Sequence, residues 1–195
     1  MQRTRDGVPI VIHDDTFDRT TSLHGSVAAT DWAAIRAGAS QVPSLDELCT
    51  WVANKTVGFV LELKQRRDDR DDGLVPAVLP ILQAHKLMDR TVVISFDHAS
   101  LAQLHALEPQ ARTAPLYGRR MRPEAWPAWS AGIHPFHAWV TPELCARAHA
   151  GGQYVHAWGF EFEREAVAAL VNAGVDSLSA DDPRRLVELL RSTAG

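Results

Sequence analysis

The sequence Val57-Gly-Phe-Val-Leu-Glu-Leu-Lys64 is a short apolar run that ends in two charged residues. Its length and composition are typical of a buried strand. Side chains alternate along a strand, which puts Glu62 and Lys64 on one face, about 6.6 Å apart along the strand. A buried charge needs an ionic partner or a metal, because its burial alone costs too much free energy. The pattern therefore predicts either a structural ion pair or a functional site, since ligands bind at the carboxyl ends of parallel strands.

Similar apolar runs alternate with helical segments along the rest of the chain. The pattern predicts strands near residues 8–13, 57–63, 91–96, 113–117, 154–158 and 175–179. It predicts helices at residues 30–38, 44–53, 74–87, 99–107, 142–150, 164–173 and 183–190. This alternation indicates an α/β fold with a parallel sheet covered on both faces. Residues 65–72 are dense in charge and are predicted to form a solvated loop, and residues 118–138 are the least regular segment.

The composition excludes several classes of protein. The 195 residues are 46% apolar and 23% charged, with a formal net charge of −4, which is typical of a globular chain. A mildly acidic chain does not favour nucleic acid or an anionic membrane as a partner. No run approaches the ~20 apolar residues of a membrane span. Cys49 and Cys145 lie in no metal-binding spacing, so we expect buried free thiols in a reducing, cytoplasmic environment.

A second candidate for chemistry is His13, in the sequence Ile12-His-Asp-Asp15 at the end of the first predicted strand. A histidine there can exchange protons near neutral pH, and the adjacent aspartate can orient it or cap the turn. A His-Asp dipeptide alone is a weak signal. The sequence has no HExxH, GxGxxG, GxxxxGK[ST] or GxSxG motif, so zinc-protease, dinucleotide-binding, P-loop and hydrolase-elbow interpretations lack their signatures.

Taken in order, these segments resemble the glycerophosphodiester phosphodiesterase family, whose members are TIM barrels. Arg3-Thr-Arg-Asp-Gly-Val-Pro-Ile-Val-Ile-His-Asp-Asp-Thr-Phe-Asp-Arg-Thr-Thr21 is similar to the family's stretch around its second catalytic histidine. Leu61-Glu-Leu-Lys64 is similar to its metal-and-phosphate strand. Further matching motifs are Val42-Pro-Ser-Leu-Asp-Glu-Leu48, Val93-Ile-Ser-Phe-Asp97, His156-Ala-Trp158, Gly174-Val-Asp176 and Ala180-Asp-Asp-Pro183. The likeness covers nearly the whole chain, and the combination is more specific than any one motif.

The resemblance implies a TIM (β/α)8-type barrel over residues 1–195 as a single, partial domain. It implies hydrolysis of a small glycerophosphodiester to sn-glycerol 3-phosphate and an alcohol. In that reaction His13 is a general acid/base, Glu62 binds a divalent cation, Mg²⁺ or Ca²⁺, Lys64 contacts the phosphate, and Trp158 lines the glycerol pocket. These four side chains are expected to converge at one mouth of the barrel, because the carboxyl ends of its strands share one side. No oligomeric state is predicted.

The sequence departs from the family at its start. Family members open with a strand carrying His-Arg-Gly, a helix, and a second strand ending Glu-x-Asp, which supply a catalytic histidine, an arginine and two metal carboxylates. This sequence contains none of them, so we expect a barrel that lacks its first strand, first helix and most of its second strand. We also expect this chain to be inactive or nearly so, in contrast to an intact parent. Met1 is then a mis-called start or the edge of a fragment, with about 40–50 residues encoded upstream.

Two other interpretations stay open. The first is a non-catalytic protein derived from the barrel that binds or interacts without hydrolysis; retention of His13, Glu62 and Lys64 argues mildly against it. The second is another phosphodiester-cleaving barrel, such as a relative of phospholipase D toxins. The lack of paired cysteines and of a secretory signal disfavours that interpretation.

Overall fold

The structure, a computed structural model, describes residues 1–65 and 70–193. It divides into two compact units, Met1–Arg112 and Thr113–Gly195. Residues 66–69 of the predicted solvated loop lie outside the described residues. One barrel domain over residues 1–195 stays a prediction. Of the helices in the described ranges, none is long and apolar enough to cross a bilayer.

Helices and strands alternate through most of the chain, as predicted. The strands are β1 (Gln2–Arg3), β2 (Pro9–Ile10), β3 (Phe59–Glu62), β4 (Thr91–Ser95), β5 (Arg112–Tyr117), β6 (Gly132–Pro135), β7 (Tyr154–Ala157) and β8 (Ser177–Leu178). The α-helices are α1 (Trp32–Gly38), α2 (Leu45–Ala53), α3 (Leu74–Ala84), α4 (His98–Leu107), α5 (Pro142–Ala150), α6 (Arg164–Ala173) and α7 (Pro183–Thr193). All seven predicted helices are confirmed, with ends that differ by a few residues. At the start of α2, Ser44 and Glu47 form the predicted capping box.

Parallel pairing dominates in both units. In the first, β3 and β4 run parallel, with Phe59 opposite Thr91 and Glu62 opposite Ile94. In the second, β5, β6, β7 and β8 pair in parallel and in sequence order. Parallel neighbours need a crossover connection, and helices supply most of these crossovers. The predicted parallel α/β arrangement is therefore confirmed within each unit.

Each unit has apolar clusters of its own. Beside the β1–β2 hairpin, the first unit buries Ile10, Ile12, Phe17, Val27, Ile35, Ala39 and Val42 in one cluster. Two clusters in the second unit pack α5, α6 and α7 against the sheet, and their centres include Ile133, Val155, Ala157 and Val167. The second unit's parallel sheet is thus anchored by the helices that follow its strands.

The predicted parallel strand at residues 8–13 is wrong. Only Pro9–Ile10 are extended, and they pair antiparallel with Gln2–Arg3. Asp6-Gly7 makes the intervening turn: the Gly7 N–H donates to the Thr4 carbonyl at 3.0 Å, and Gly7 has a φ of +93°. An Asp-Gly pair between extended residues is a strong hairpin signal, because glycine tolerates positive φ. The apolar run after Asp6-Gly7 predicts a strand that this pair only bounds, and the hairpin is the physical reason for the difference.

Strand β6 was not predicted, because its sequence Gly132-Ile-His-Pro135 contains a single large apolar residue. Ile133 is fully buried in a cluster with residues of α5, whereas His134 faces the other way and is only 2% exposed. Gly132 is required by packing, since a Cβ atom there would lie 2.5 Å from the Tyr154 ring. Burial of both faces hides the alternation on which strand prediction depends.

Replacing Arg90 by alanine is expected to lower the unfolding free energy of the first unit by about 1–3 kcal/mol. Its guanidinium donates to the carbonyls of Val52, Ala53, Lys55 and Val57, where α2 ends and β3 approaches. The positive charge of Arg90 also interacts favourably with the negative, carbonyl end of the α2 helix dipole. Urea denaturation measures the loss. Arg112→Ala, which removes an exposed arginine, is the matched control, and an equal effect in both variants would contradict the role.

Candidate active site

One cavity of about 260 Å³ in the first unit is lined by three of the four predicted site residues, His13, Glu62 and Lys64. The rest of its wall is mainly apolar and consists of Met1, Val11, Ile12, Leu48, Phe59, Val60 and Leu61. A mostly apolar cavity with a few convergent polar groups is the usual form of a small-molecule site. Trp158 belongs to the second unit.

Strand β3 positions Glu62 and Lys64 as the alternation predicts. Leu61 and Leu63 are 3% and 1% exposed, and they point away from the face that carries the two charges. The Lys64 ammonium donates to both carboxylate oxygens of Glu62, at 3.0 and 2.9 Å. Both side chains are largely covered, with 25% of Glu62 and 17% of Lys64 exposed. The cavity wall thus presents a neutral ion pair whose lysine keeps some access to solvent.

The backbone of Met1 holds the end of this strand. The Lys64 N–H donates to the Met1 carbonyl at 3.0 Å, and the Met1 amino group donates to the Glu62 carbonyl. Met1 thus bonds to residues 62 and 64, one on each side of Leu63, and this is the hydrogen-bond pattern of two parallel strands. Burial lowers the pKa of the Met1 amino group to about 5, and the nearby Glu62 carboxylate only partly opposes this shift. Met1 therefore fixes the position of Glu62 and Lys64 along the cavity wall.

His13 follows β2, and its ring is held by its neighbour. The Nδ1 atom lies 2.7 Å from an Asp14 carboxylate oxygen, while 72% of the His13 side chain is exposed. Arg19 donates to both oxygens of the same carboxylate, at 2.5 and 3.0 Å. Arg19 first and His13 second hold the pKa of Asp14 well below its usual range. From the sequence Asp14 could either orient His13 or cap the turn, and this geometry is that of an orienting residue.

The turn that carries His13 is fixed from β1. Gln2 is 7% exposed, and its side-chain amide donates to the backbone carbonyls of Asp14 at 2.5 Å and His13 at 3.4 Å. Without this amide, two carbonyl groups in a partly buried turn would lose their donor. The hairpin therefore gives an exposed histidine a defined backbone position.

The residues present do not fit a Mg²⁺ or Ca²⁺ ion. Both ions take about six or more oxygen ligands, and Mg²⁺ keeps several of them as water. Glu62 already accepts two hydrogen bonds from Lys64, at 3.0 and 2.9 Å. Within residues 1–65 and 70–193, no group of three or more His, Cys, Asp or Glu side chains is arranged to hold a metal. The described residues therefore do not form the set of oxygen ligands that either ion requires.

Trp158 lies at the carboxyl end of β7 in the second unit. Its indole N–H donates to the His134 carbonyl at 3.0 Å, and its ring meets the edge of Phe136 at 5.3 Å between centroids. The Arg119 guanidinium lies 4.5 Å from the centroid of the same Phe136 ring. The two rings and the cation thus form a partly apolar surface at the ends of β5, β6 and β7, where ligands of parallel sheets bind. No sequence motif identifies Arg119 as a candidate site residue.

A histidine pair, in which His134 is buried and His156 is half-buried, is the other polar feature that the sequence pattern does not reveal. His134 and His156 stack with their centroids 4.3 Å apart. The His134 Nε2 atom lies 2.9 Å from the Tyr154 hydroxyl, and the His156 Nδ1 atom lies 2.7 Å from the Ser177 hydroxyl. Burial lowers the pKa of His134 to about 3 and that of His156 to about 4. Both rings are therefore neutral at physiological pH. The sequence signal that could have identified His156 is its spacing of two from Tyr154, which puts both side chains on one face of β7.

A histidine, a lysine and a carboxylate on one cavity are groups that could serve proton transfer and phosphate binding. The chain belongs to the glycerophosphoryl diester phosphodiesterase family, a family of phosphoric diester hydrolases, whose model matches residues 1–185. This result confirms the family resemblance found in the sequence.

Individual relatives agree with the family assignment. The chain is 27% identical to a glycerophosphodiester phosphodiesterase of Caldanaerobacter subterraneus subsp. tengcongensis, over 98% of this chain and 84% of that protein. It is similar in structure to a Silicibacter pomeroyi protein assigned as a glycerophosphoryl diester phosphodiesterase, with a TM-score of 0.84 at 27% identity, over 99% of this chain and 82% of that one. An Oleispira antarctica phosphodiesterase in complex with its product sn-glycerol-3-phosphate has a TM-score of 0.82 at 22% identity, over 97% and 82% of the two chains. These likenesses confirm the TIM-barrel type of α/β fold.

Proposed function

We propose that this chain hydrolyses glycerophosphodiesters only slowly, releasing sn-glycerol 3-phosphate and an alcohol, in contrast to the rapid reaction expected of an intact parent. The observation that carries the proposal is the cavity lined by His13, Glu62 and Lys64, which gathers groups for proton transfer and phosphate binding. The names of the relatives support the same substrate class, which is a small molecule. The net charge of −4 gives no support to nucleic acid as a partner.

In the proposed reaction water attacks phosphorus, and the bond from phosphorus to the alcohol oxygen breaks. The Nε2 atom of His13 can take a proton from the attacking water and return it to the leaving oxygen, because Nδ1 is engaged with Asp14 at 2.7 Å. The Lys64 ammonium, which Glu62 holds from one side, offsets negative charge on the phosphoryl oxygens. That Trp158 lines the glycerol pocket stays a prediction of the family resemblance.

A divalent cation, Mg²⁺ or Ca²⁺, with Glu62 as its ligand stays a prediction that rests on the resemblance alone, because the pairing of Glu62 with Lys64 does not support it. In the proposed reaction Lys64 alone offsets negative charge on the phosphoryl oxygens. A reducing, cytoplasmic location is also proposed, and it is supported by Cys49 and Cys145, which are both buried free thiols.

One observation favours a second function, binding without hydrolysis. Glu62 is paired with Lys64, and the described residues lack a cluster of metal ligands. A protein with this site could bind a glycerophosphodiester or glycerol phosphate and release it unchanged. Turnover distinguishes the two functions, because both predict binding and only the first predicts product.

Replacing Lys64 by glutamine is expected to weaken binding of sn-glycerol 3-phosphate about 10-fold or more, since a hydrogen bond from a charged donor contributes about 1.5–3 kcal/mol. Isothermal titration calorimetry measures the dissociation constant. Lys55→Gln is the matched control, because Lys55 is an exposed lysine that lies over the Trp51 ring at 5.2 Å and does not line the cavity. Unchanged affinity in Lys64→Gln would remove Lys64 from the proposed phosphate site.

A further inference from the structure

The carboxylate of Asp14 stands between a histidine and an arginine. One oxygen lies 2.7 Å from His13 Nδ1, and Arg19 donates to that oxygen at 3.0 Å and to the other at 2.5 Å. Arg19 follows Asp14 by five residues along the chain and does not line the cavity. The contacts that connect Arg19 to the cavity are its bonds to Asp14, which in turn contacts His13.

The hydrogen bond to Asp14 determines which ring nitrogen of a neutral His13 carries the proton. A carboxylate accepts, so the nitrogen facing it must be the protonated one, and Nε2 is left with its lone pair free. An imidazole without such a partner favours the opposite tautomer and rotates freely in solvent. With 72% of its side chain exposed, His13 has little packing to hold its ring.

Arg19 restrains the carboxylate on which this arrangement depends. Two parallel N–H bonds from one guanidinium fix the plane of a carboxylate as well as its position. A carboxylate with this fork cannot rotate away from Nδ1 without breaking at least one strong bond. The pKa of Asp14, lowered first by Arg19, is in accord with a permanently ionised acceptor.

We propose that Arg19 is a positioning residue, which holds Asp14 in the orientation that keeps the proton of neutral His13 on Nδ1 and Nε2 free for proton exchange. The effect of this positioning on hydrolysis rests on the proposed function, whereas the geometry of Arg19, Asp14 and His13 does not. A purely structural role is a weak explanation of the ion pair, because 66% of the Arg19 side chain is exposed and exposed pairs add little to stability.

The first unit contains a matched control for this arrangement. Arg5 donates through the same kind of fork to Asp31, and 63% of the Arg5 side chain is exposed. Arg5→Ala therefore removes an exposed arginine from an aspartate that orients no ring. Any general effect of losing such a pair is expected to be equal in the two alanine variants.

The test is a two-dimensional ¹H–¹⁵N spectrum of the histidine rings at a pH where they are neutral, with His13→Gln used to assign the His13 signals. In the wild-type chain and in Arg5→Ala, Nδ1 of His13 is expected to resonate as a protonated nitrogen and Nε2 as an unprotonated one. In Arg19→Ala this preference is expected to be lost, as in Asp14→Ala. Arg19→Lys, which keeps the charge without the fork, is expected to lose part of it.

A wild-type His13 spectrum in Arg19→Ala overturns the proposal, as does one in Arg19→Lys should the alanine variant not fold. The spectra are recorded without substrate, so they do not depend on turnover. An unchanged spectrum refutes the positioning role alone, whereas a shifted spectrum together with no hydrolysis by the wild-type chain refutes the proposed function alone.

Discussion

Lowering the pH from 7.5 to 5 is expected to reduce the unfolding free energy of the second unit by about 4 kcal/mol through His134 and His156. Burial lowers the pKa of these rings from the ordinary value of 6.5 to about 3 and about 4. Below pH 6.5 the unfolded chain therefore binds protons that the folded chain excludes. The stability is complete above that pH, and each ring costs about 2 kcal/mol by pH 5. The loss continues until the pH reaches the folded-state values.

Urea denaturation at a series of pH values, followed by tryptophan fluorescence, measures this loss. Glutamine at positions 134 and 156 cannot titrate, so the double variant His134→Gln/His156→Gln is expected to reduce the slope by about 2.4 kcal/mol per pH unit between pH 6 and 5. The slope is the informative quantity, because the substitutions also change packing and hence the absolute stability. His24→Gln removes an exposed histidine and serves as the control. A wild-type slope in the double variant would show that the histidine pair is not the cause.

The helices were predictable because their signals are local. Ser44 and Glu47 lie three residues apart before an apolar periodic run, and they form the expected capping box. The parallel strands β3 and β4 were predictable for a similar reason, because each is a continuous apolar or β-branched run. Strand β6 was not, because its inward-facing His134 and Gly132 interrupt the apolar pattern, and tertiary packing against Tyr154 decides its course.

The site was predictable to the extent that it depends on strand alternation. Glu62 and Lys64 share a face because of a period of two, and Glu62 does pair with Lys64. The contribution of Arg19 could not be inferred, because its fork on Asp14 depends on how the turn after β2 folds back. The stacking of His134 on His156 also requires the pairing of β6 with β7, which the apolar pattern of the sequence does not predict.

Replacing His13 by glutamine is expected to lower hydrolysis of a glycerophosphodiester about 100-fold, which is typical for loss of a general acid/base. Glutamine is similar in size to histidine and can occupy the same position in the turn, but its amide cannot transfer a proton near neutral pH. His24→Gln is the matched control, because His24 is also exposed and lies 2.9 Å from an aspartate, Asp18, yet does not line the cavity. Equal rates in the two variants would contradict the role of His13.

The central claim, that the cavity of His13, Glu62 and Lys64 hydrolyses glycerophosphodiesters, is tested most directly by release of sn-glycerol 3-phosphate from glycerophosphocholine. The 195-residue chain is assayed beside His13→Gln, with and without EDTA. We expect a slow release, because the described residues of this chain offer no cluster of metal ligands. We expect His13→Gln to reduce even this rate. No release by the wild-type chain, or release that is unchanged in His13→Gln, would contradict the claim and favour binding without hydrolysis; fast release abolished by EDTA would contradict the conclusion that the site does not fit a metal.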